Sequence, residues 1–216
     1  MSLFKNKYRI ESVRLEGYDY SQPGLYFITI ITKNRKCIFG EIVNGEMIMN
    51  DAGKIANECW QEIPVHFPNV KLDAYVIMPN HIHGIIVITD GNKIENKNEN
   101  KSISVETWHA MSLQLSNQSN QSNQSNQSNQ FDNKFHNHKN QFGHPIAGAI
   151  STIVGSFKSA VTKQINQLHQ TQGQSLWQRN YYEHIIRNND ELNNIRQYII
   201  NNPKNWIDDE NNIGTG

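Results

Sequence analysis

Residues 75–88, Tyr-Val-Ile-Met-Pro-Asn-His-Ile-His-Gly-Ile-Ile-Val-Ile, constrain the fold more than any other stretch. Apolar and β-branched residues fill both sides of a short Met78-Pro79-Asn80 break. The pattern therefore predicts one buried strand leading into another, with His81 and His83 opening the second. Side chains two apart on a strand share a face. His81 and His83 thus point the same way, their Cα atoms about 7 Å apart, and two imidazoles so placed can converge on one cation. Ile82 faces the other side, and Gly84 is expected to leave room for a ligand or another backbone. A bare His-x-His is a weak pattern. The chain repeats it as His136 and His138 in a polar stretch, where the reading is surface polarity without a site.

A length of 216 residues suits one domain with an appendage. The hydrophobic share of 37% is low, and the shortfall lies in one segment. From about Asp90 to Phe142, Lys, Asn and Glu give way to a Ser-Asn-Gln repeat over residues 116–130 and then to a His, Asn and Lys mixture. Such a tract has too few apolar groups to offset its ordering entropy. It predicts a flexible, disordered insertion at 90–144 within a single domain spanning 1–210, followed by a tail at 211–216. The two cysteines, Cys37 and Cys59, fit a reducing cytoplasm better than a disulfide framework. With no run of about 18 apolar residues and no leader-like start, the expectation is a cytoplasmic protein. Net charge is zero, yet residues 146–206 hold six basic side chains against three acidic ones, which suits a surface that meets phosphate.

The rest of the pattern supplies a strand over 24–32, a hairpin around Asn44-Gly45, and a helix capped by Asn50-Asp51 that ends before Pro64. Strands over 70–78 and 82–89 follow. Beyond the insertion come a helix from Ile146 to about Leu168, an aromatic strand or extended edge within 175–187, and a last helix capped by Asn188 or Asn189 and stopped by Pro203. This order predicts an α+β layer fold, a sheet with helices packed on one face.

On the last helix Tyr198 and Asn202 stand four apart, so both lie on one face. Packed beside the His strand, they make a nuclease arrangement. The phenol attacks a phosphodiester, while a divalent metal held by His81, His83 and the Asn202 oxygen polarises the phosphate. Mixed nitrogen and oxygen ligands suit Mg2+ or Mn2+. Trp177 and Tyr182 are candidates for base stacking, and Arg179, Arg187 and Lys158 for phosphate contacts. Trp177 and Tyr182 read equally well as core residues.

Met78-Pro79-Asn80-His81-Ile82-His83, then Leu176-Trp177-Gln178 with Tyr182-Glu183-His184-Ile185-Ile186-Arg187, then Tyr198-Ile199-Ile200-Asn201-Asn202-Pro203, resemble the single-tyrosine HUH transposases, most closely the REP-associated tyrosine transposases. The resemblance implies a ferredoxin-like fold, a metal pair at His81 and His83, and Tyr198 as a nucleophile. The implied reaction cuts single-stranded DNA through a 5′-phosphotyrosine link and recognises hairpins. Asn202 falls at the third-ligand position, where related enzymes usually carry glutamine, and the long insertion replaces a short connection. The resemblance leaves both a monomer and a homodimer open. Two other readings stand beside it: a hairpin-binding module that does not cut, and a metal-dependent phosphodiesterase that uses water, with Tyr198 structural.

Overall fold

The computed structural model describes residues 18–90, 146 and 148–212. The expected insertion beyond Asp90, with His136 and His138, lies outside the described residues.

Eight-residue strands β1 (Gly24–Ile31), β4 (Val70–Ile77) and β5 (His81–Ile88) and the shorter β6 (Tyr182–Ile186) form one sheet in the order β4-β5-β1-β6. Every neighbouring pair is antiparallel. The hairpin β2 (Gly40–Val43) and β3 (Glu46–Met49) stands apart as its own two-stranded sheet. Helix α1 (Asp51–Gln61) follows, with its first turn capped by the Asn50 side chain, which accepts from Gly53 N–H at 3.0 Å. Helix α1 ends at Gln61, before Pro64, as expected. A single helical turn, α2 (Ile63–His66), restarts with Pro64 in its first turn, where the missing N–H does no harm. Helix α3 (Ile150–His169) crosses from β5 to β6, and α4 (Asn189–Asn201) follows β6. Apart from the hairpin, the β1-α1-β4-β5-α3-β6 order and the strand arrangement are ferredoxin-like, as expected.

Alternation along the strands decides what each face buries. Tyr26, Ile28 and Ile30 of β1 and Ile82, Ile86 and Ile88 of β5 meet Ala56 and Trp60 of α1 and Ile153, Phe157 and Val161 of α3. Leu25, Phe27, Ile85 and Val87 lie on the opposite face, against Leu192, Ile195 and Ile199 of α4. The helices therefore do not all share one face: α1 and α3 pack as expected, and α4 covers the other side. The physical reason is visible in β5, whose eight residues are all buried, so both of its faces need a cover.

Two further expectations change. Of residues 175–187 only β6 joins the sheet, while Trp177 makes a lone bridge to Thr32. The segment expected to be a tail begins inside the fold, since Asn211 is buried.

Gly84 also serves another purpose than expected. A Cβ there would stand 2.3 Å from Cζ2 of Trp60, so the space it leaves is filled by the α1 indole, not by a ligand. Gly84→Ala is expected to lower unfolding free energy by about 1–3 kcal/mol through overpacking. Combining it with Trp60→Phe should cost less than the sum of the two single changes, read by denaturant titration of all four proteins.

Helix α4 is pinned at its middle by charge. Where β4 slips register against β5, between Leu72 and Tyr75, Asp73 takes a forked contact from Arg196, Nε to Oδ1 at 2.7 Å and Nη2 to Oδ2 at 2.5 Å. Burial pushes the Asp73 carboxyl up. The bonds donated by Arg196 and by the Ala74 N–H outweigh it and hold the carboxyl below the usual carboxylate range. A group with a depressed folded pKa adds stability above its unfolded value, and that stability is lost as pH falls through the folded one. Acid titration of unfolding should therefore show a loss beginning near pH 4 that Arg196→Met reduces, and that variant should be less stable at neutral pH by about 1–3 kcal/mol.

Candidate active site

The turn between β4 and β5 is short because Met78 N–H donates back to His81 O at 2.8 Å. Pro79 O accepts from Phe39 N–H at 3.1 Å and Asn80 O from Thr32 N–H at 2.9 Å, so the end of β1 and the segment after it grip the turn. Asn80 is fully buried, and its amide is spent completely. Nδ2 donates to Arg35 O at 3.0 Å and to Asn211 O at 2.8 Å, leaving Oδ1 as the acceptor 2.8 Å from His81 Nδ1. Arg35 presents that carbonyl from a left-handed backbone, φ +52.

These bonds fix the tautomer of His81. With Asn80 Oδ1 accepting, His81 carries its proton on Nδ1 and turns the Nε2 lone pair the other way. On the neighbouring rung Thr29 Oγ1 lies 2.8 Å from His83 Nδ1, so the second ring is likewise held through Nδ1. The register Ile31↔His81 and Thr29↔His83 puts both rings on the α4 side of the sheet, with centroids 4.5 Å apart. Burial pushes His81 down to about 4, although Asp209 pulls the other way, and burial with the neighbouring His81 holds His83 well below its ordinary value. Both imidazoles are neutral at physiological pH, the form that binds metals.

Helix α4 brings the phenol to this pair. Tyr198 OH lies 3.1 Å from His83 Nε2, and the two rings are 5.0 Å apart. Burial, then the negative charge of Asp209 and Glu210, raises the phenol pKa, with Asn202 opposing. Asn202 keeps helical angles, φ −57 and ψ −42, although it precedes Pro203, a position that usually avoids them. Its side chain therefore stays one turn from Tyr198 and enters the site, with Nδ2 donating to Asp209 Oδ2 at 3.2 Å.

Asp209 had no role in the sequence reading. Its Oδ2 lies 4.0 Å from His81 Nε2, and His81, His83 and Asp209 each offer a ligand atom within 4.8 Å of the others. Among the described residues, His81 Nε2 and Asn202 Oδ1 are both buried without a hydrogen-bond partner. Two orphaned acceptors beside a carboxylate and a second imidazole fit a divalent cation, which would satisfy all of them. Asp209 comes from the turn after the short helix Trp206–Asp208, whose Trp206 ring sits 6.0 Å from His81. A single acid beyond the last helix carries no spacing signal. Only the closure of the chain against Asn80 brings it in.

The expected DNA-contacting residues divide. Tyr182 is exposed on β6 near Tyr198, and Arg187 follows the same strand. Lys158 and Arg179 line a trough of about 520 Å3 between α3 and the segment before β6, together with Lys163. There Lys158 Nζ donates to Gln178 O at 2.7 Å, and burial lowers its pKa. Trp177 is only 7% exposed, its indole donating to Lys158 O and its ring packed on Phe39 and Phe157. It is a core residue and not open to a base, the other of the two readings above.

The family model for IS200-like transposases matches residues 136–202, which takes in Tyr198 and Asn202 but not the histidines. An uncharacterised protein of Haemophilus influenzae is 37% identical over 199 residues, covering 92% of this chain and 91% of that protein. The chain belongs to the IS200-like transposase family, and its function is accordingly of the transposase type, on DNA. Among solved structures, a REP-associated tyrosine transposase bound to a REP hairpin is similar at a TM-score of 0.47 and 14% identity, over 90% of this chain and 74% of that one. A transposase-like protein of Deinococcus radiodurans gives 0.39 and 14%, over 88% and 97%. Likeness at that level carries no residue-by-residue correspondence. Among the described residues no helix is long and apolar enough to cross a membrane.

If the Nδ1 bonds orient the rings, Asn80→Ala and Thr29→Val should each weaken Mn2+ binding about 10–100-fold. Calorimetric titration of protein shown to be folded by circular dichroism is the measurement. Affinity equal to wild type in both would mean that these bonds do not prepare the site.

Proposed function

We propose that this chain is a metal-dependent transesterase that cuts and rejoins single-stranded DNA through Tyr198, of the REP-associated kind, with hairpin DNA as its partner. The observation that carries the reading is the meeting of the Tyr198 phenol with two neutral, pre-oriented imidazoles, His81 and His83, with His81 Nε2 and the neighbouring Asn202 Oδ1 left as orphaned acceptors. The hairpin preference rests on the motif resemblance.

In the cutting step the Tyr198 phenol gives up its proton to solvent and its oxygen bonds to phosphorus as the bond from phosphorus to the 3′ oxygen breaks. That oxygen leaves as a hydroxyl after taking a proton, and the 5′ end stays on the tyrosine. Rejoining is the reverse, with a 3′-hydroxyl attacking the phosphotyrosine. One ester is exchanged for another, so no net oxidation or external energy source is needed. His81, His83 and an oxygen of Asp209 or Asn202 would hold a divalent cation, Mg2+ or Mn2+, which would supply positive charge favouring an ionised phenol and a more negative phosphate. The chain's own part is to hold the phenol on a helix pinned by Arg196, to keep both rings neutral, and to steer the strand. Lys158, Lys163 and Arg179 offer phosphate contacts on one side, and Arg187 and Tyr182 support the strand near the nucleophile.

Incubation of end-labelled single strands from a randomised pool containing hairpins with Mn2+ should yield a protein–DNA adduct that survives denaturing electrophoresis. Tyr198→Phe should remove it, and His81→Ala should reduce it together with Mn2+ affinity. Cut strands without adduct would favour attack by water, and retention of hairpins with neither would favour a binding module.

A further inference from the structure

An open pocket of about 700 Å3 on the α4 side of the sheet is lined by Tyr198 and Tyr182 and otherwise by residues that the chemistry above does not use. Its floor is Phe27, which meets Tyr182 and Tyr198 edge-on, with centroids 6.1 Å away in both cases and planes at 68° and 84°. Tyr182 and Tyr198 are 42% and 44% exposed, so the mouth is aromatic. Its polar lining comes from the start of α4, where Asp190 and Asn194 are exposed. Glu191 is tied to the wall, with Oε1 2.6 Å from His184 Nε2 and Oε2 accepting from Arg187 N–H at 2.7 Å. Among the described residues lining this pocket none is lysine or arginine, which makes it a poor seat for phosphate. Aromatic surfaces with carboxylate and amide acceptors, and with the one histidine turned onto Glu191, match a nucleobase that presents amino protons.

We propose that this pocket takes the nucleobase of a nucleotide flanking the phosphate attacked by Tyr198, and prefers adenine or cytosine over thymine. The proposal rests on the DNA-cutting reading for its location beside the scissile phosphate. Stacking comes from the exposed tyrosines, chiefly Tyr182. Selection comes from the Asp190 carboxylate, which only accepts, taking a bond from the exocyclic amine that thymine, with a carbonyl at that position, cannot donate; Asn194 adds an amide contact to the same edge.

The test uses a fully randomised single-stranded library with Mn2+ and two pools sequenced in parallel: DNA joined covalently to the wild-type chain, and DNA retained without cutting by Tyr198→Phe. The expected result is one position, adjacent to the cut in the covalent pool, enriched roughly tenfold for adenine or cytosine over thymine. Adding Asp190→Ala should flatten that position, and adding Asn194→Ala should weaken its bias, both leaving preferences elsewhere in the site as they were. Absence of the bias in the retained pool, or a bias that survives both substitutions, overturns the proposal whether or not adducts form. A bias in the retained pool that Asp190→Ala erases, without any adduct from wild type, upholds the pocket as a base site and defeats the cutting reading instead.

Discussion

The antiparallel pairing of β5 with β1 is the constraint on which the remaining structure depends. It sets Ile82, Ile86 and Ile88 on the face that packs against α1 and α3, and His81, His83, Ile85 and Val87 on the face covered by α4. One strand thereby carries a hydrophobic core on one side and the site on the other. A slip of one residue would exchange the two sets, putting imidazoles among the packed aliphatics and isoleucines beside the tyrosine. Trp60, seated on the bare backbone of Gly84, supports this register, since only one position of β5 can receive the indole.

The same pairing delivers the second requirement, ring orientation. A histidine free to rotate would bury an N–H where a lone pair is needed. Here the bonds that fix the rings come from three separate parts of the chain: Thr29 on β1, Arg35 after it, and Asn211 near the end, the last two acting through Asn80. The site is therefore assembled only when the sheet and the closing segment are both in place. Burial that keeps both imidazoles neutral is a product of that closure too, because Trp206 stands beside His81 only after α4 has been laid down.

Much of this was legible in the sequence. Period-two alternation, the Asn50 and Asn188 caps and the Pro203 stop located the strands and helices, and His81, His83, Tyr198 and Asn202 meet as their spacing suggested. The unbroken apolar run of β5 also held the sign that both faces are covered, but the reading of helices on one face did not use it. What local pattern cannot carry is contact between distant segments. Asp209 enters the site by through-space closure, Asn80 looked like an ordinary turn residue, and Gly84 looked like access for a ligand when its partner was an indole some two dozen positions earlier. Trp177 stood between two readings: an aromatic near Arg179 and Arg187 fits base stacking and core equally well, and only the fold shows its indole N–H and ring both committed to the interior.

A net charge of zero conceals how the charges are arranged. Lys158, Lys163 and Arg179 line one trough, and Lys33 and Lys36 line a second of about 440 Å3 that shares Ser175 with it; among the described residues that line either, none is acidic. Asp190 and Glu191 stand instead at the start of α4, where the helix N-terminus favours them and where the aromatic pocket opens. A polynucleotide has the matching division, anionic along its backbone and apolar with amino and carbonyl edges at its bases. A surface that offered cations everywhere would hold the backbone in many registers and read none of them. On the proposed reading, separating the cations from the aromatic, acid-rimmed pocket would let electrostatic attraction draw a strand in without letting a phosphate occupy the place where a base can be told from its neighbours.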